Sequence, residues 1–184
     1  MSDFELTEEQ YNEVVRLSRA YYREAFRCRD SKAYLAGCLM MAAALEATLL
    51  VFANCYPEEA LRSPKAPIRA GKTKPLANWK FAELLEVAKE RGWLPSGLSL
   101  DEEWNAKIAQ IGDYTEVLRQ IRNLVHPARH MLDMPRKRIT KRYLEMSFEI
   151  VQVANDYLLK NISESLRAAF ESGDMEEDTT NNPQ

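Results

Sequence analysis

Apolar residues recur along this chain at three- and four-residue spacing over long segments and nowhere alternate singly over a strand's length, a pattern that predicts helices throughout. Thr7-Glu8-Glu9-Gln10 reads as a capping box opening a first helix, with Val14, Leu17, Ser18, Tyr21 and Ala25 on one face. Asp30 or Ser31 is the expected cap of a second helix, which continues until Tyr56, where Pro57 interrupts it. That helix is apolar nearly all round. Such a helix must be covered on most sides, which makes it the expected centre of the domain.

Residues 63 to 77 hold Pro64, Pro67, Gly71 and Pro75 without an apolar period and read as an exposed loop. Asn78 is the expected cap of a short amphipathic helix through Trp79, Phe81, Leu84, Leu85 and Ala88, stopped at Gly92. Ser99 with Glu102 forms another capping box, and Ile108, Ile111, Tyr114, Leu118, Ile121 and Val125 then mark a helix up to Pro127. Pro135 opens a long last helix ending near Phe170. It carries two apolar rows: Ile139, Tyr143, Met146, Ile150, Val153 and Tyr157 in one, Leu144, Phe148, Val151, Leu158 and Ile162 in the other. One row faces the bundle; the spare one suits a neighbouring helix or a second subunit. The expected fold is therefore all-α, an up-and-down bundle of about five helices with a long C-terminal helix. Residues 1–170 form one domain, and 171–184 an acidic, disordered tail.

Composition narrows the class. With 184 residues, 46% apolar, and only 6 glycines and 8 prolines, collagen-like, low-complexity and turn-rich β architectures are excluded. Cys28, Cys38 and Cys55 show no CxxC spacing, so no disulfide framework or zinc site is encoded, and they read as inert core residues of a reducing compartment. The N-terminus lacks a basic region followed by an apolar run, which points to the cytosol. Leu35 to Cys55 is long enough to cross a bilayer, but its central Glu46 opposes insertion by roughly 2.5 to 3.5 kcal/mol. A buried bundle helix is the preferred reading and a transmembrane helix the alternative.

The net charge of -3 hides a segregation. Residues 171–184 carry five acids and no Lys or Arg, so residues 1–170 stand at +2. Residues 62–80 hold six Lys or Arg and no acid, and residues 129–142 hold six against one acid. Arg69, Lys72, Lys74 and Arg129 within them are candidate contacts to an RNA backbone; the plainer reading is a solvated charge run. Trp79, Trp93 and Trp104 fall at amphipathic positions and suit packing better than base stacking.

Histidine, the side chain best suited to proton transfer near neutrality, occurs only at His126 and His130. Their four-residue separation suggests no metal site, because Pro127 breaks the helix between them. In Leu118-Arg119-Gln120-Ile121-Arg122-Asn123-Leu124-Val125-His126-Pro127, a continuous helix puts Arg119, Arg122 and His126 on one stripe beside the apolar face. Two guanidiniums and an imidazole at a helix end make an anion site, with phosphate the natural ligand of Arg forks. The plainer readings are cations offsetting the helix dipole, and an ion-pair network of Arg119, Arg122 and Glu46 that fixes helix packing.

The string Ile121-Arg122-Asn123-Leu124-Val125-His126-Pro127, after an apolar helix of the form YLAGCLMMAAALEATL, resembles the HEPN superfamily. The resemblance implies an all-α, often dimeric bundle, and in many members a metal-independent ribonuclease of toxin-antitoxin or phage-defence systems, partnered there by an antitoxin or another defence protein. The family motif is Arg, usually followed by a polar residue, then His after four to six intervening residues. Arg119, followed by Gln120, has six; Arg122, followed by Asn123, has three, so both are candidates. The resemblance implies His126 as general acid or base, Arg119 and Arg122 as charge stabilisers, Asn123 as an orienting group and Glu46 as the acidic support on the central helix. It implies no cofactor and no metal. The same bundle without catalysis would be an RNA-, nucleotide- or protein-binding module.

Overall fold

The computed structural model describes residues 4–94, 111–123, 126–133 and 138–160. These residues hold seven α-helices and one two-residue β-hairpin. Helix α1 (Glu8–Asp30) starts on the expected capping box: Gln10 N–H donates to Thr7 Oγ1 at 3.2 Å, and Thr7 N–H to Gln10 Oε1 at 3.0 Å. Ser31 belongs to the end of α1, not to the start of the next helix. Its hydroxyl donates to the Arg27 carbonyl at 2.9 Å, and Lys32 takes a left-handed φ of 61° so that Ala33 N–H can reach back to the Cys28 carbonyl at 2.8 Å. Helix α2 (Tyr34–Cys55) then begins from Ala33 without a side-chain cap.

Helix α2 is the centre of the domain, packed by α1, by α4 (Phe81–Glu90), by α5 (Ile111–Asn123) and by the long α7 (Lys141–Lys160). This placement explains its composition: Met41, Ala42, Leu45, Leu49, Phe52 and Ala53 are all buried. It is the one described helix long and apolar enough to cross a membrane, and most of that stretch lies inside the bundle. Helix α1 runs antiparallel to α2, with Ser18 and Thr48 hydroxyls 3.2 Å apart and Leu6 N–H donating to Asn54 Oδ1 at 2.8 Å. Helix α7 runs with α2 in the same sense, its first turns lying on those of α2 (Leu144 on Gly37, Ser147 hydrogen-bonded to Cys38). Its buried stripe takes Leu144, Val151 and Leu158 from one expected row, Ile150 from the other, and Ser147 and Ala154 from neither, while Met146 is left exposed.

At Gly37 the three long helices meet. A Cβ there would stand 2.8 Å from both Leu144 methyls and 3.3 Å from Cys28 Cβ. Leu144 is fully buried, so its methyls would have to shift within the packed core to admit that atom. Gly37→Ala is therefore expected to destabilise by up to about 2 kcal/mol, because overpacking of about 1 to 3 kcal/mol opposes a helix-propensity gain of roughly 1. A melting curve checks it, and a higher Tm would contradict this packing.

After the short α3 (Pro57–Arg62), residues 63–77 are not simply an exposed loop. Ile68–Arg69 (β1) and Lys72–Thr73 (β2) pair antiparallel, with Ala70 and Gly71 both at positive φ, as a two-residue hairpin turn requires. The segment is anchored by buried Ser63, Ala66 and Leu76, by Leu76 N–H on the Phe4 carbonyl at 2.8 Å, and by Trp79 Nε1 on the Lys74 carbonyl at 3.0 Å. Asn78 sits in a 3₁₀ turn, Leu76–Asn78, and α4 starts later, at Phe81, where the Glu83 carboxylate accepts from Lys80 N–H at 2.8 Å. It ends as expected at Gly92, φ 71°. Trp79 and Trp93 are core residues. The expectations for Ser99, Glu102, Trp104, Ile108, Val125, Pro135, Ile162, Phe170 and the tail 171–184 lie outside the described residues.

Candidate functional site

The centre of the site is a carboxylate and a guanidinium held on three helices. Glu46, midway along α2, has a side chain only 19% exposed, and it forms an ion pair with Arg122, one residue from the end of α5. The Glu46 carboxylate also accepts the backbone N–H of Phe81, the first residue of α4. That N–H is one of the donors every helix leaves open at its N-terminus, and the helix dipole adds to its attraction for a carboxylate. The Arg122 Cζ lies 5.8 Å from the centre of the Phe81 ring, a cation-π distance. Arg122 is thus fixed from two sides yet keeps 40% of its side chain in solvent.

Burial pushes the Glu46 pKa above the ordinary carboxylate value; Arg122 and the Phe81 N–H pull the other way without overcoming it. A carboxyl with a raised folded-state pKa holds its proton better folded than unfolded. Its contribution therefore favours the fold at pH below the unfolded value and weakens as pH rises through the raised folded value. Glu46→Gln, which keeps an acceptor for Phe81 N–H, should lose this dependence. Relative to the parent, its Tm is expected to improve from about pH 4 towards neutrality. A Tm difference that shrinks over that range would contradict the assignment.

His126 does not continue the α5 stripe. Helix α5 ends at Asn123, and His126 follows it, its N–H donating to the Asn123 carbonyl at 3.1 Å, directly before α6 (Pro127–Asp133). The cause is Pro127, whose ring disfavours helical backbone at the preceding residue. The single-helix stripe of Arg119, Arg122 and His126 is thereby corrected: the two arginines share α5, and the exposed His126 stands at the α5–α6 corner. Asn123 is half-buried there. Arg119 is half-buried and engaged in interactions of its own.

The candidate RNA-contacting residues divide. Arg69 and Lys72 are exposed at the hairpin tip. Lys74 is 19% exposed and ion-paired with Glu83 on the first turn of α4, so its charge is offset. Arg129 lies on α6, with its side chain outside the described residues. The first turn of α4 thus carries both the base of the hairpin, through Glu83, and the ring beside Arg122, through Phe81. Phe81 is the site residue that sequence reasoning missed, since its apolar spacing marks it only as core. Burial pushes the thiols of Cys38, Cys55 and Cys28 up, consistent with unreactive core cysteines.

Fold and site together define an all-α bundle with a carboxylate-anchored arginine followed, four residues on, by an exposed histidine. No family model, curated protein or solved structure matches the chain.

Proposed function

We infer that this chain is a HEPN-like protein whose α5–α6 corner engages RNA phosphate and cleaves it without a metal. One observation carries the reading: Arg122, anchored by Glu46 but 40% open to solvent, stands four residues before an exposed His126 at the same helix end. A guanidinium fixed in advance supplies charge where a phosphorane develops, with little reorganisation. His126 takes the 2′-hydroxyl proton as the 2′-oxygen attacks the adjacent phosphorus. The P–O5′ bond breaks and the 5′-oxygen takes a proton from solvent water, giving a 2′,3′-cyclic phosphate and a 5′-hydroxyl. Arg119 and Asn123 flank that phosphate in this reading, and Arg69, Lys72 and Arg129 contact the RNA backbone further along.

Met131 and Leu132 on α6 are 67% and 69% exposed directly beside this corner. Adjacent exposed apolar residues favour a contact surface, here a homodimer that brings two His126 side chains to one cleft. A cytosolic location and a restraining antitoxin or defence-system partner belong to the same proposal. Incubation of the purified chain with structured and unstructured RNA in EDTA tests it: cleavage is expected. Intact RNA in every substrate, together with no toxicity on expression, would sink it.

A second reading has its own support. The Glu46 pair occupies part of Arg122 and offsets its charge, which favours a non-catalytic HEPN-like module that binds RNA, a nucleotide or a protein. Tight RNA binding without cleavage would select it.

A further inference from the structure

The hairpin tip carries an arrangement that the fold itself does not stabilise. Arg69 and Lys72 are directly opposite in the strand register, both exposed, and neither has an acidic partner among the described residues. Like charges facing each other across a strand pair repel. Their neighbours are already paired: Arg62 with Glu58, Lys65 with Glu86, and Lys74 with Glu83. Beside the tip lies an open groove of about 660 Å³, with Phe4, Leu61 and Pro75 as apolar lining and Arg69 and Lys72 as its cationic rim. A ligand for this surface is acidic with an apolar residue among its charges.

The C-terminal segment of the chain has this character. Residues 171–184 hold five acids and no base, and Met175 sits between Asp174 and Glu176. The placement of the ends agrees. Since α7 starts on the first turns of α2 and packs along it in the same sense, its last residue, Lys160, lies toward the C-terminal end of α2. That is the end where Asn54 holds Leu6 and where Phe4 holds Leu76 at the base of the hairpin segment. From Lys160 to Glu171 the chain can reach at most about 35 to 40 Å. We propose that the acidic segment 171–184 docks in this groove of its own chain, with its carboxylates on Arg69 and Lys72 and Met175 on the apolar lining. The docking does not depend on the RNA reading. Where RNA is a ligand of this face, the docked segment competes with it.

Zero-length carbodiimide cross-linking of the full chain, with peptide mapping, tests the proposal. Lys32, exposed at the opposite end of α2, is the internal control. Links from Lys72 to Glu176, Glu177 or Asp178 within one chain are expected at about fivefold excess over links from Lys32, falling to parity in 1 M salt, where the Debye length is roughly 3 Å. Arg69→Glu, an exposed change that leaves Lys72 available, should remove the excess. Equal yields at Lys32 and Lys72 in low salt would overturn the proposal, as would links that form only between chains and vanish on dilution. So would Lys72 acylation by a soluble acetylating ester that is equal in the parent and in Glu176→Lys/Glu177→Lys, and blocked only when an RNA oligonucleotide is added. That last outcome would give the groove to RNA.

Discussion

His126→Ala is expected to lower RNA cleavage in EDTA by about 10² to 10⁴-fold, the usual contribution of a positioned general acid or base. Fold stability should hardly change, because the side chain is exposed and the described contact of this residue is its backbone N–H on Asn123. RNA affinity should also persist, since the phosphate-facing cations are untouched. The signature is therefore a loss in kcat with KM and Tm close to the parent. A parent-like rate in the variant would remove His126 from the mechanism, and a collapsed Tm would assign it a structural role instead.

Arg122→Ala is expected to be the most destabilising polar substitution. It leaves Glu46, the less exposed partner, on the Phe81 backbone N–H with no cation. Breaking a wholly buried pair costs about 3 to 5 kcal/mol. Arg122 is 40% exposed, so solvent already screens part of the attraction, and about 2 to 3 kcal/mol is the appropriate expectation here. In a chain of this size each kcal/mol lowers Tm by about 2 to 4 °C. The deficit should be smaller at acid pH, where Glu46 is neutral in both proteins.

The double variant Glu46→Leu/Arg122→Met separates packing from chemistry. Apolar replacement of both partners is often neutral or stabilising, so Tm should recover. RNA cleavage should not recover, because the anchored guanidinium is gone. Recovery of both would make the pair purely structural and remove Arg122 from the cleavage chemistry.

Much of this fold was legible where the determining chemistry is local. Thr7 and Gln10 cap α1, Gly92 ends α4, and Leu118 and Ile121 mark the buried side of α5, because caps and periodicity depend on residues within one or two turns. The pairing of Glu46 with Arg122 was legible too, as a carboxylate isolated in an apolar helix needs a partner. Other features were not. Ser31 serves the end of α1 because Lys32 accepts a left-handed backbone, which a lysine does not advertise. The hairpin at Ile68–Thr73 has two residues per strand and no alternation, below any periodic signal. The bend at His126 was encoded in Pro127, yet the three- and four-residue apolar spacing suggested a helix up to that proline. That one choice moved His126 from a helical stripe to a corner. Phe81 acquires its role from contacts with two helices distant in sequence, which no local pattern records.

End-group analysis of RNA exposed to the full chain in EDTA decides whether His126 cleaves RNA. New 3′ ends bearing a 2′,3′-cyclic phosphate and new 5′ ends bearing a free hydroxyl are expected, and both should be absent with His126→Ala. Intact RNA, or fragments ending in a 3′-hydroxyl and a 5′-phosphate, would contradict it.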